Sequence, residues 1–348
     1  MSTSQGPRAP SSVGTAASVP GLMHLQLVWF SMVMGLSGLA LAWLRAQALM
    51  GSMALSLATV IGVIAALVWL ILMVATIWRA RRHTGALRAD LNHPVRHAFV
   101  AAVVVGALLL CAWAVQIWGP SPGLDALWRL SAGAELLVTL WVLGRWLQEH
   151  QEGAPPMWVA ITPVLFIPVV GNVVVPLAGW PLGHHAWSMV QLGIGVFFWP
   201  LVLVLVLARR AAHSALPPRL LMSWFITAAP PSVVGVVSVI IEAPLSLSMG
   251  LWGVAMFSLL WSSQVVSRAM AAGFHMGFWA VSFPLAAFTS LTLMLGERGG
   301  APWMNAAGLA LLALSTLVIG ALLVATLKGL RDGSLLVAEP EPPKPKAA

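Results

Sequence analysis

Tyrosine is absent from this chain, cysteine occurs once, and only 8% of the 348 residues carry a charge. Each shortage removes a class of protein. A single cysteine, Cys111, set inside an apolar run, leaves no disulfide framework and no cysteine-built metal site. The ten acidic residues lie mostly between apolar runs. There is no HExxH segment, no phosphate-binding glycine loop and no Ser/His/Asp spacing, so neither an enzyme nor a bound cofactor is expected. The pair His184-His185 lacks an identifiable third or fourth ligand, and no metal is assigned to it. So low a charge, beside 59% hydrophobic residues and a mean hydropathy of +0.91, excludes a soluble domain, which could not tolerate that surface in water.

What the chain has instead is long apolar runs. A bilayer core takes about 20 residues of helix. Ten runs qualify, at 22–44, 54–78, 94–118, 124–147, 157–179, 186–208, 218–241, 246–267, 276–296 and 303–327. The alternation of barrel strands is missing, and a stretch such as LVLVLVLA is continuously apolar, so the spanning backbone is satisfied inside helices. The expected fold is an all-α integral membrane protein with ten transmembrane helices. Residues 1–19 read as a disordered N-terminal segment, 20–328 as the membrane domain and 329–348, with its EPEPPKPKAA, as a disordered tail. The first apolar run lacks a small-residue cleavage pattern and reads as a span rather than a signal peptide.

The 18 Lys and Arg follow topology rather than a nucleic-acid surface, in spite of a pI near 11.4. Arg79, Arg81, Arg82, Arg88 and Arg96 lie between runs two and three. Arg209, Arg210 and Arg219 lie between six and seven, Arg268 between eight and nine, and Lys328, Arg331, Lys344 and Lys346 at the end. The opposite loops hold only Arg45 and Arg298, with Arg129 near the start of span four. The positive-inside rule then makes both termini cytoplasmic, in a bacterial-type inner (plasma) membrane. Spans 1, 3, 5, 7 and 9 run parallel, and if they met around an axis their N-terminal dipole ends would surround an Arg-rich mouth that favours anions.

Proline marks the irregular spans. It costs about 3 kcal/mol in a helix interior and frees a carbonyl that lipid cannot satisfy. Span 5 carries Pro163, Pro168 and Pro176, span 7 Pro230 and Pro231, and span 9 Pro284, whereas Pro200 is the one interior proline of an even span. Small polar residues accompany them: Thr162, Gly171 and Asn172, then Thr227, Ser232 and Gly235, then Ser282, Thr289 and Ser290. The odd spans are therefore expected to form an inner ring with kinks at these prolines, and spans 2, 8 and 10 to face lipid. Gly35 and Gly38 are expected to bring span 1 close to a neighbour.

Four segments, HPVRHAF (93–99), VVGNVV (169–174), FITAAPPS (225–232) and FWAVSFP (278–284), together resemble the tellurite-resistance/dicarboxylate transporter family. That family includes TehA and the plant slow-type anion channels of guard cells. The resemblance covers about 20 to 328 and implies five helical hairpins around a central pore, with odd helices inside, assembled as a homotrimer. It further implies that Phe283 plugs the pore as a gate, and that Pro168, Pro230 and Pro284 are kink positions. Ala-Pro-Pro in span 7, the missing long tails and the absent tyrosine depart from the pattern.

Site expectations follow. Phe283 is the pore gate; Pro168, Gly171, Asn172, Thr227, Pro230, Pro231, Ser282 and Pro284 line the pore or kink its helices. His93 and Arg96 open span 3, where Arg96 either draws anions into a vestibule or anchors to lipid phosphate. Glu135, mid-span in helix 4, is either a buried structural group, paired with an Arg or protonated, or a proton site. The expected function is passive conduction of small anions of the chloride or nitrate kind. The alternative is a secondary carrier of C4-dicarboxylates, sulfite or tellurite-related oxyanions, coupled to protons through Glu135.

Overall fold

The structure is a computed structural model and describes residues 21–147, 157–213 and 215–337. The expected disordered segment 1–19 and residues 338–348 of the expected tail lie outside the described residues. Among those described, no strand occurs. Among the described residues, nine helices are long and apolar enough to cross a membrane: α1 (Leu27–Arg45), α2 (Ser52–Arg82), α3 (Arg96–Trp118), α4 (Pro122–Leu147), α6 (His185–Ala212), α7 (Pro218–Ile240), α8 (Leu245–Ser263), α9 (Met276–Glu297) and α10 (Met304–Arg331). A shorter apolar segment, α5 (Pro163–Gly179), lies between α4 and α6.

α5 is broken where the sequence suggested one continuous span. It runs as a 3-10 turn at Pro163–Leu165, an α turn at Phe166–Val170, a second 3-10 turn at Gly171–Val174 and a last α turn at Pro176–Gly179. Three prolines within so short a stretch remove three amide donors, so the i→i−4 ladder cannot run through it. Such backbone survives at membrane depth only inside protein, and residues 161–179 are buried throughout.

Burial separates two sets of helices. The most apolar windows of α1, α3, α7 and α9 are 89%, 78%, 89% and 89% buried, whereas those of α2, α4, α6, α8 and α10 are only 17%, 33%, 28%, 17% and 28% buried. The outer set shows large apolar side chains such as Ile71, Val74, Leu137 and Leu317 on its free face, which suits hydrocarbon rather than water. Consecutive helices α1/α2, α3/α4, α7/α8 and α9/α10 pack against each other, and α9 also packs against both α1 and α7. Gly38 permits one of these approaches: a Cβ there would stand 3.1 Å from Phe283 Cδ2 and 3.2 Å from Ala286 Cβ of α9.

All five inner segments open in 3-10 geometry, at Leu27–Phe30, Arg96–Phe99, Pro163–Leu165, Pro218–Ala228 and Met276–Val281. The outer helices are α-helical from their first residue. Pro230 and Pro231 fall in the first turn of the α portion Ala229–Ile240, and Pro284 in the first turn of Ser282–Glu297. A helix leaves its first donors without an i−4 partner, so a missing N–H costs little there. These prolines thus stand at 3-10 to α junctions and not in helix interiors; Pro200 of α6 alone is interior among the described helices. α10 continues to Arg331, and beyond it the Leu336 carbonyl accepts from the Gly21 N–H at 3.1 Å.

Candidate functional site

Three cavities lie along the inner segments, and Phe283 lines all three. The first opens where these segments begin and is lined by Met34, Phe99, Ile167, Arg219, Ser223 and Met276, among others. The middle one is walled by Val105, Ile167, Val170, Pro230 and Val233. The third lies toward the opposite ends and includes Gly38, Arg45, Gln116, Leu177, Val236 and Ser290. Every lining residue belongs to α1, α3, α5, α7 or α9. The Phe283 ring is only 7% exposed and stands where the three spaces meet.

Of the serines in the walls, Ser223 Oγ donates to the Leu220 carbonyl at 2.5 Å and Ser290 Oγ to the Ala286 carbonyl at 3.0 Å, and small polar residues behind the walls are satisfied in the same way. Ser282 Oγ donates to the Trp279 carbonyl at 2.6 Å, Thr227 Oγ1 to the Trp224 carbonyl at 2.7 Å and Ser232 Oγ to the Ala228 carbonyl at 2.7 Å. A hydroxyl bonded to the carbonyl three or four residues back no longer offers its proton to a solute. Of the residues expected to line the pore, Phe283, Pro230 and Pro284 line these cavities; Pro168, Gly171, Asn172, Thr227, Pro231 and Ser282 do not.

Gly171 and Asn172 face outward, toward α4. Asn172 Nδ2 donates to Thr139 Oγ1 at 2.7 Å, and Thr139 Oγ1 donates to the Pro168 carbonyl at 2.7 Å, so α4 serves the backbone that the α5 prolines disrupt. Glu135 is fully buried in this layer, with its carboxyl over Gly171, where a Cβ would collide with Oε1. Neither carboxyl oxygen has a hydrogen-bond partner among the described residues, and no arginine there forms an ion pair with it.

His93 and Arg96 organise the start of α3. His93 Nδ1 accepts from the Val95 and Arg96 N–H groups, both at 3.1 Å. Arg96 pairs at 3.2 Å with Asp90, which also holds Arg79 at 2.7 Å, and Arg79 Nε donates to the Met23 carbonyl at 2.9 Å. Neither His93 nor Arg96 lines one of these three cavities; Phe99 is the residue of this turn that does. The cation at that mouth is Arg219, in the first turn of α7. Beside it His275 caps α9 by accepting the Gly277 N–H at 3.2 Å. Burial, and then the Arg219 charge, push the His275 pKa down to about 4, so its ring is neutral at pH 7.

Arg45, Gln116 and Arg219 were not singled out in the sequence as site residues. Arg45 and Arg219 look like ordinary charges flanking a span, and only the fold turns them toward the axis. Gln116 left a fainter signal, an amide near the end of an otherwise apolar run.

Apolar-walled cavities strung along buried inner helices, with Arg219 toward one end and Arg45 toward the other, suit a membrane transport protein. The chain belongs to the SLAC1 family, described as voltage-dependent anion channel, whose sequence profile matches residues 24–327. It is 25% identical over 271 residues to the tellurite resistance protein TehA homolog of Haemophilus influenzae, covering 75% of this chain and 78% of that one. It is 23% identical over 287 residues to the S-type anion channel SLAH2 of Arabidopsis thaliana, covering 80% and 54%. The guard cell S-type anion channel SLAC1 of the same plant is 24% identical over 320 residues, covering 88% and 56%. The chain thus spans about half the length of these plant relatives.

Proposed function

We propose that this protein is a gated, passive anion channel of a bacterial-type inner membrane, conducting small anions of the chloride or nitrate kind past Phe283. The observation that carries this reading is the place of the Phe283 ring, at the meeting of an Arg219-lined and an Arg45-lined cavity with apolar walls between them. An anion cannot shed its hydration against hydrocarbon without a large penalty, so a ring in a narrow apolar passage blocks by excluding water, and its displacement wets the path. Around that passage the proposal places ten spans as five hairpins, the broken α5 being the fifth span. Both termini are cytoplasmic, and three copies assemble with one pore each. The names of the relatives, anion channels and a tellurite resistance protein, agree with an anion as cargo.

The test is current across planar bilayers with purified protein, comparing wild type with Phe283→Ala. The variant is expected to conduct anions at least about tenfold better than wild type. Unchanged or abolished flux, in protein shown to fold and insert, overturns the gate. The carrier alternative draws on Glu135, a carboxyl without a hydrogen-bond partner among the described residues, deep in the membrane layer. Its place on α4, outside the cavity linings, sets it apart from the path. Saturable uptake that follows a proton gradient and fails with Glu135→Gln would replace the channel with a carrier.

A further inference from the structure

The third cavity, like the first, carries polar side chains in an otherwise apolar lining. Arg45, the last residue of α1, Gln116, near the end of α3, and Ser290 of α9 all line it, against Leu41, Leu109 and Val236. Ser290 Oγ is committed to the Ala286 carbonyl at 3.0 Å, which leaves two polar side chains from two different helices, Arg45 and Gln116, facing an otherwise apolar space, the pattern expected of a small-ligand site. The Gln116 amide gives one bond to the Ala112 carbonyl at 3.1 Å, which leaves its second N–H uncommitted. The Arg45 guanidinium makes no hydrogen bond or close ion pair among the described residues; the carboxylate whose charge acts on it is Glu297, at the end of α9. The five donors of its fixed fork are therefore uncommitted to other described side chains or carbonyls where they border the cavity.

The electrostatics of the parallel inner helices give this charge a task. At the first cavity the helix N-termini offer positive partial charge to an anion, and Arg219 adds to it. At the third cavity the same helices present their C-termini, whose carbonyls carry negative partial charge. An anion that has passed Phe283 would meet a repulsive end, and Arg45 is the one cation lining that space.

We propose that Arg45 and Gln116 form an anion-binding site on the far side of Phe283, holding a planar or small oxyanion such as nitrate through the guanidinium fork and the amide N–H. The site rests on the channel reading for its place in conduction, but its occupancy can be read without conduction. Phe283 forms one wall of it, so the ion waits directly against the ring.

Purified protein is titrated with sodium nitrate against sodium gluconate at constant ionic strength, and the thermal unfolding midpoint is followed. Nitrate is expected to raise the midpoint of wild type. Arg45→Gln should need about tenfold more nitrate for the same shift, the size of losing a charge-assisted hydrogen bond. Arg45→Lys, which keeps the charge and loses the fork, should fall between, and Gln116→Leu provides a second variant should Arg45→Gln fail to fold. In bilayers, Arg45→Gln in the Phe283→Ala background should lose several-fold in nitrate conductance and select less sharply against potassium. If Phe283→Ala conducts and the double variant conducts, selects and binds nitrate as Phe283→Ala does, the site is overturned while the channel stands. If Phe283→Ala carries no current but nitrate protection still depends on Arg45, the gate falls and the site stands.

Discussion

Phe283 and Gly38 show how one side chain is held by one absent methyl. A Cβ on Gly38 would press on the ring at 3.1 Å and on Ala286 at 3.2 Å, closer than a packed core accepts without repacking. Gly38→Ala is therefore expected to destabilise the wild type by about 1–3 kcal/mol. With the ring already removed the methyl fills vacated space, so the cost in Phe283→Ala should fall well below that. Unfolding of the four proteins of this cycle in detergent measures the coupling. Additive costs would mean that the ring does not rest on Gly38. The sequence named both residues, but it could not pair them, since contact between α1 and α9 depends on how the helices pack.

At the scale of elements, the spans were legible and their internal geometry was not. Runs of about 20 apolar residues mark α1 to α4 and α6 to α10 because lipid dictates their length. The 3-10 openings leave no such mark: an apolar residue suits either helix, and the change of hydrogen-bond register inside one run has no composition of its own. For the same reason Pro284 looks interior in the sequence and is in the first turn of a new α segment in the fold. Gly171 and Asn172 were read as pore-lining or kink residues, and both serve the contact with α4. In a membrane a small polar residue is as useful against a neighbouring helix as against water. The cap of α9 gives a test at this scale. His275 has a pKa of about 4 in the fold against about 6.5 in an unfolded chain. Between these values the unfolded chain takes up a proton that the folded one does not. The cap's contribution is thus complete above about pH 6.5 and is lost as pH falls toward 4. The unfolding midpoint of wild type should drop across that window more steeply than that of His275→Gln; parallel profiles would refute it.

For the whole molecule, charge placement and burial answer different questions. The distribution of Lys and Arg sets an orientation, which impermeant thiol labelling checks in a Cys111→Ala background. Ser121→Cys, between α3 and α4, should label in intact cells, and Ser334→Cys, beyond α10, only after the membrane is opened; the reverse pattern would invert the protein. Burial instead sorts inner from outer helices, and so explains why Arg45 and Arg219, which look alike as flanking charges, end in different cavities on either side of Phe283. The shared 3-10 openings bear on how such a passage could change its bore. A 3-10 helix rises about 2.0 Å per residue with three residues per turn, and an α-helix about 1.5 Å with 3.6. Rewinding the six residues Met276–Val281 into α geometry would draw α9 in by about 3 Å and turn all that follows by about 120°. Phe283 is the second residue beyond that segment. On the proposed channel reading, this unspent twist is a route by which a screw motion at the helix ends swings the ring off the axis without breaking a helix.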